Sequence, residues 1–478
     1  MTGIGIRSAF NIGKKSLTAQ LAGLNVTGNN IANVNTAGYS RQDLTLKPSL
    51  MINTPDGTFG MGVDIGGVRR IRDSLVDKQL RTEFHLKGQN EALERVLSQV
   101  ETIINEPSET GLRSLMSEFF DDFYELANNP ESITIRFNLR EQAELLVKAY
   151  HRIDEQLRIL SNDVDAELKA TVARFNSLSK EVATLNDQIS SYESVSEGTA
   201  NDLRDQRDRA IDEMSETMEL FAFEKDNGVV NIAAQSETII TSNYPLQFEV
   251  KTRNVNGNLV SDIVNTESQA VFTVKKGKLG GLIDSRNEII PNFRDQLGEL
   301  AGDLIRVVNN IHETGVGLQG TSLDIPKDNP FFTGSNAVNI EISRAIKDDE
   351  RNIAAAQRID YLKSDGTIEV QGAPGDNKVA MEIANLKEKL VLNNGTESLI
   401  DSFNAIVSEV GIRTREASDS VQNGRLLIDQ FQNLRDATSG VSLDEEFVNL
   451  IKYQRGFQAS AKVITTVEEM FESLINMV

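Results

Sequence analysis

Residues 442–478 read SLDEEFVNLIKYQRGFQASAKVITTVEEMFESLINMV, with an apolar side chain every seven positions: Leu450, Phe457, Ile464, Phe471 and Val478. A seven-residue step keeps side chains on one face of a helix, and a face of that kind needs a partner. The start is clean. Ser442 and Glu445 have capping-box spacing, and Asp444, Glu445 and Glu446 complement the positive end of a helix dipole. A second row, Phe447, Gln454, Ala461, Glu468 and Ile475, is mixed, and polar residues in a seam set register and partner choice.

The opposite end of the chain carries the matching feature, with Phe10, Leu17, Leu24 and Ile31 at the same step. Two termini built alike are expected to pair as one coiled coil, with everything else a long insertion between them. That is the plan of a building block and not of a pocket enzyme. Phe10, Leu17, Leu24, Ile31, Phe447, Leu450, Phe457, Ala461, Ile464, Phe471, Ile475 and Val478 are the candidate assembly-interface residues. Each row is thin, and helices draw most of their stability from burial. The ends are therefore expected to order fully only on assembly.

The 478 residues suffice for two to four domains. Lys and Arg total 49 against 71 Asp and Glu, a formal charge of −22, which disfavours nucleic acid and anionic membrane surfaces as partners. No Cys is present, so disulfides and thiolate metal sites are excluded. The N-terminus lacks the features of a secretory signal, since Lys14 and Lys15 follow the apolar residues, and no apolar run has the length of a bilayer. Export, if it occurs, is expected to use another route.

Between the ends, the pattern predicts a mainly α fold with β insertions, in which a long-helix bundle carries smaller β or α+β outer domains. The expected division is a terminal coiled-coil domain (1–42 with 440–478), a helical domain (43–224 with 284–320 and 396–439), a small β domain (225–283) and a mixed insertion (321–395). Helical spacing dominates residues 74–220, with one long polar-faced helix over about 132–192. The period changes at Phe221, with short β-like runs that include Val229, Val230 and Ile232, and helix is expected again from Ile289.

Chemistry-bearing constellations are absent. His85, His151 and His312 lie far apart on expected amphipathic helices, where solvated or half-buried structural histidines are common. His312-Glu313 lacks the second His of a zinc-protease helix. Gly315, Gly317 and Gly320 have dinucleotide-loop spacing but follow a helix instead of a strand, which makes the segment a turn. No cofactor, metal or catalytic residue is assigned.

The run NNIANVNTAGYSRQ, residues 29–42, ends the first helix. Asn29, Asn30 and Gly38 tolerate the backbone of a helix stop, whereas the amphipathic ring of Tyr39 calls for a packing partner. The run resembles the N-terminal signature of the flagellar axial proteins, the rod, hook and hook-associated proteins, carried here by Asn29, Asn30, Ala32, Asn33, Asn35, Thr36, Gly38, Tyr39 and Ser40. EEFVNLIKYQRGFQASAKVITTVEEMFESLIN is similar to that family's C-terminal signature. In the middle, NDLRDQRDRAIDEMSETMEL (201–220) and KGKLGGLIDSRNEIIPNFRDQLGELAGDLIRVVNNIHETGVGLQG (276–320) are similar to the hook-associated members. Rod proteins have little between the signatures, and hook proteins have a β-dominated middle. The resemblance implies a subunit that joins the distal hook to the filament. Implied partners are hook protein, a second hook–filament junction protein, further copies in the axial layer, the type III export apparatus and an export chaperone at the C-terminal region. Another axial component, or a secreted coiled-coil surface protein outside the flagellum, is the alternative.

Overall fold

The computed structural model describes residues 2–54, 57–104, 108, 110–194, 200–225, 227–235, 237–255, 258–318, 329–362, 368–371 and 375–476. Helix α1 (Thr2–Ala32) leads into an arm of antiparallel strands, β1 (Gln42–Pro48) paired with β4 (Val63–Arg70), and β2 (Met51–Thr54) paired with β3 (Gly57–Gly60) as the hairpin between them. Next come α2 (Ser74–Ile104), α3 (Leu112–Asn128), the 61-residue α4 (Ile133–Glu193) and α5 (Asn201–Thr217). At the usual rise per residue α4 is about 90 Å long. Its buried residues, among them Leu139, Leu146, Tyr150, Ile153, Leu157, Leu160, Val164, Leu168, Phe175 and Val182, repeat at helical spacing along nearly the whole length. Ser132 caps it by accepting from the Ile135 amide.

A four-stranded antiparallel sheet follows, β5 (Phe221–Glu224), β6 (Val230–Ala234), β7 (Glu237–Thr241) and β8 (Tyr244–Pro245), and then the hairpin β9 (Phe248–Val255) with β10 (Asn258–Asn265). Two side chains of α4 dock these strands. Asn186 donates to the Val230 and Ser242 carbonyls, and Asn176 donates to the Phe248 carbonyl while accepting from its amide. The sheet begins at Phe221, slightly before the expected 225.

The helix expected from Ile289 begins instead at Gly277. Helix α6 (Gly277–Asp284) passes through a π-helical turn, 285–289, into α7 (Ile290–His312). Gly277, Gly280 and Gly281 depress helix propensity, which hides the helix in the sequence. Close approach compensates: a Cβ on Gly281 would lie 2.6 Å from the Gln89 carbonyl oxygen of α2.

The mixed region contains β11 (Gly315–Val316), β12 (Phe332–Thr333), β13 (Glu341–Ile342), α8 (Arg344–Asp348), β14 (Ala356–Gln357), β15 (Ile359–Leu362), β16 (Ile368–Gln371) and α9 (Lys378–Ala384). Gly315 pairs with Gln357 in a two-stranded ladder and Gly317 packs on the Arg351 carbonyl, while Gly320 lies outside the described residues. Helix α10 (Leu399–Ser439) starts with a full capping box, Ser398 with Asp401, that the sequence reading passed over. It runs along α2, and α11 (Leu443–Ile475) ends the chain.

One core joins α2–α7, α9, α10 and the sheets, from Ala92 to Ala417. At one end Phe119 and Phe123 meet Phe331, Phe119 also meets Phe332 and Phe120, and the His312 ring lies edge-on to Phe331 at 5.4 Å. His312 is fully buried, not solvated: Nδ1 lies 2.8 Å from the Asn329 carbonyl and Nε2 accepts from the Ala354 amide at 2.9 Å. This pairing fixes the neutral, Nδ1-protonated ring, and burial holds its pKa down at about 4. His85 is buried as well, while His151 is half-buried. Among the described residues no group of three or more His, Asp and Glu is placed to hold a metal ion, and no helix is long and apolar enough to cross a membrane. None of the described residues of α1 or α11 belongs to the core.

Candidate assembly interface

Helices α1 and α11 pair antiparallel. A Cβ on Gly13 would meet Ile464 and Val463, the Ser16 and Ser460 hydroxyls lie 2.7 Å apart, Gly456 abuts the Gln20 side chain, Gly23 abuts the Tyr453 ring, and Asn30 donates to Glu446 at 3.1 Å. These contacts fix the register. The α1 seam is Gly13, Ser16, Gln20, Gly23, Thr27 and Asn30, stepping by three and four, and the α11 seam is Glu446, Asn449, Tyr453, Gly456, Ser460, Val463 and Val467. Small and polar residues therefore face across most of the pair, and of the apolar rows Ile464 reaches across it, against Gly13.

Those rows lie beside the seam. Leu17, Leu24 and Ile31 each follow a seam residue by one position, and so do Leu450, Phe457 and Ile464, while Phe10 continues the α1 row seven residues before Leu17. All seven are half-buried. In an antiparallel pair these flanking positions of the two helices fall on the same side, so the two rows form one apolar strip. Ala461 is half-buried at its border, while Phe471, Phe447 (52% exposed) and Ile475 (74% exposed) stand out from it, and Val478 lies outside the described residues. The other flank is occupied. The strand arm covers it, with Gly62 against Ile12, Ala19 buried, and the Lys15 ammonium 2.8 Å from Asp64 and hydrogen-bonded to Ser49.

A polar joint, not a hydrophobic one, fastens this pair to the helical body. Asp202, Asp205, Asp208 and Asp212 lie at steps of three, three and four along α5, which puts them on one face. Asp205 accepts from the Ser40 amide (2.9 Å), the Ser40 hydroxyl (2.8 Å) and Arg70 (2.7 Å). Asp208 takes Arg70 and Arg72 at 2.8 Å each, Asp212 takes Arg81 and Arg435, and Asp202 takes Gln42. Burial works to raise the Asp208 pKa, but Arg72, Arg70 and Arg81 together bring it below the ordinary carboxylate range. Across the joint, Arg41 bonds the Ser439 carbonyl through its amide and Glu446 and Glu445 through its guanidinium. Glu445, a capping-box candidate by spacing, is thus engaged by Arg41.

The Asn-rich segment occupies the centre of the joint. Asn29 and Asn30 are still helical, so backbone tolerance does not account for them. Buried Asn30 donates to the Gln42 carbonyl and Glu446, and its side-chain oxygen accepts from the Gln42 amide and the Tyr39 hydroxyl. Burial and the Asp202, Asp205 and Glu446 carboxylates push the Tyr39 pKa up, so it stays a donor. Asn33 folds back onto Asn29, Thr36 donates to Asn33, and Ala32 and Asn35 are exposed. Gly38 has φ +75°, and a Cβ there would run into the Arg209 stem.

With this geometry fixed, the chain was compared with known proteins. A family model described as the flagellar hook-associated protein FlgK helical domain matches residues 97–326. Flagellar hook-associated protein 1 of Bacillus subtilis is 29% identical over 97% of this chain and 96% of its own length, and that of Escherichia coli is 24% identical over 98% and 100%. Along nearly its whole length the chain is similar to flagellar hook-associated protein 1. Two further models match its ends in that setting: flagella basal body rod protein at residues 10–39, and flagellar basal body rod FlgEFG protein C-terminal at 435–477. Among solved structures, the flagellar hook junction protein FlgK from Burkholderia pseudomallei shares the fold, with a TM-score of 0.63 at 14% identity over 76% of this chain and 100% of that one.

The family segment 201–220 quoted from the sequence is therefore α5 with its aspartate ladder. Sequence reading missed what those acids hold. The signal was present in the three-three-four spacing, opposite a run of arginines at 69, 70, 72 and 81. The two rod-protein matches at the ends fall on α1 plus its turn and on α11, both outside the core.

Proposed function

We propose that this chain is a structural subunit that joins the distal end of the hook to the filament. The observation that carries the reading is the uncovered apolar strip along the terminal helix pair, in a chain that aligns end to end with hook-associated protein 1. A pair seamed by Gly, Ser, Gln and Asn buries little apolar area, so its larger side chains remain available to neighbours. Copies in the same layer, hook protein on one side and a second junction protein on the other supply those neighbours. Before assembly the same strip is an aggregation hazard, which fits an export chaperone held on α11 and passage of the unfolded chain through the type III apparatus. The role is mechanical, and no cofactor enters it.

The test replaces Leu450 and Phe457, both on the strip and outside the seam, by Asp. The double variant should fold and be exported as the parent is, yet leave cells non-motile with bare hooks. Normal swimming with full-length filaments would overturn the assignment of the strip.

A further inference from the structure

The hairpin β2–β3 is a second uncovered apolar surface, and it lies on the opposite flank of α1 from the strip. Leu50 is 86% exposed and Met51 71%, with Ile52 and Phe59 also exposed. None of residues 50–53 and 57–60 is ionisable. The arm that carries the hairpin is held against α1 by Ile12, Lys15 and Ala19, on the flank away from Phe10, Leu17 and Leu24. A copy therefore cannot lay its own hairpin into its own strip.

We propose that the β2–β3 hairpin of one copy docks into the apolar strip of the terminal helix pair of the next copy. This rests on the assembly reading above and names the segment that covers the strip. Three features select the occupant. Both surfaces are largely apolar: the strip positions Phe10, Leu17, Leu24, Ile31, Leu450, Phe457, Ile464 and Phe471 include no polar residue, and Asp56 is the one ionisable residue of the hairpin sequence 50–60. Hairpin and strip are different patches of one molecule, so the contact is head-to-tail and repeats along a series of subunits instead of closing a two-fold dimer. The four hairpin side chains offer roughly 500 Å² of apolar surface, short of the roughly 800 Å² per partner in a stable complex. One such contact leaves the free chain monomeric, and many together hold a layer.

The chain has no Cys, so an introduced pair reports without background. Met51→Cys combined with Leu21→Cys, an exposed position bordering the strip, should give a disulfide-linked ladder of dimers and higher species in purified hook–filament junctions. Neither single variant should give it, and neither should the free double variant. Leu50→Cys serves as a second hairpin site. If the double variants assemble and no ladder forms with Leu21→Cys, Leu450→Cys or Phe471→Cys, the hairpin is not the occupant. Maleimide labelling separates the two readings. Strip cysteines shielded in the junction without a ladder refute the hairpin alone, whereas strip cysteines labelled as fast as in the monomer refute the assembly face too.

Discussion

Two glycines of α1 test the register of the terminal pair, because they share a helix and differ in what faces them. A Cβ on Gly23 would sit 2.5 Å from two carbons of the Tyr453 ring, while one on Gly28 would meet nothing within 4 Å. Gly28→Ala should stabilise α1 by about 1 kcal/mol through helix propensity alone. Gly23→Ala gains the same amount but forces the Tyr453 ring aside, a cost of about 1–3 kcal/mol for overpacking. The propensity effect cancels between the variants, leaving about 1–3 kcal/mol assignable to the seam. Local opening controls amide exchange, so millisecond hydrogen exchange in residues 14–30 should differ between the variants by roughly 5- to 150-fold. Motility should follow the same order. Equal exchange in the two variants would refute the register, and with it the placement of the apolar strip.

Other outcomes follow from the joint and the core. Asp205→Ala leaves the Ser40 amide and hydroxyl without their acceptor and Arg70 with Asp208 alone, and should cost about 1–3 kcal/mol, seen as a lower urea midpoint and new protease cleavage at residues 38–42. Asp202→Ala, which loses one bond to Gln42, should cost about 1 kcal/mol. His312 titrates at about 4 when folded, below its ordinary 6.5, so the unfolded chain binds more protons between those values. Its contribution is complete above pH 6.5 and is lost at about 1.4 kcal/mol per pH unit as the pH falls towards 4. Asp122, whose pKa burial and Glu125 raise to about 6, opposes this below pH 6. The His312 part is therefore read as the difference in slope between the parent and His312→Gln, and identical slopes would refute the buried neutral ring. Amides of α1 and α11 in the monomer should exchange far faster than those of α4 and α7, and become protected on assembly. Equal protection in the monomer would contradict a weak seam.

The sequence disclosed the long helices because their apolar residues repeat over many turns. The α4 helix observed at 133–193 was expected at about 132–192 for that reason. It hid α6, where Gly277, Gly280 and Gly281 mask a helix that packing on α2 stabilises. Periodicity also located the apolar rows of both ends and their common face, but not the seam. A seven-residue apolar row looks like the contact line of a coil, and the line of closest approach is set by where the backbones can meet, at Gly13, Gly23 and Gly456. The Asn-rich turn was legible as a landmark. Asn30 bonds Tyr39 and Gln42 nearby, but Asn30 also reaches Glu446 and Ser40 reaches Asp205, each more than 150 positions away, which no local pattern reveals.

The central claim is the junction role, and electron microscopy of a deletion strain, with the medium probed for flagellin, tests it most directly. The account predicts hooks of normal length that carry no filaments, with flagellin lost to the medium and recovery when the gene is restored. Cells without hooks, or cells with intact filaments, would contradict it.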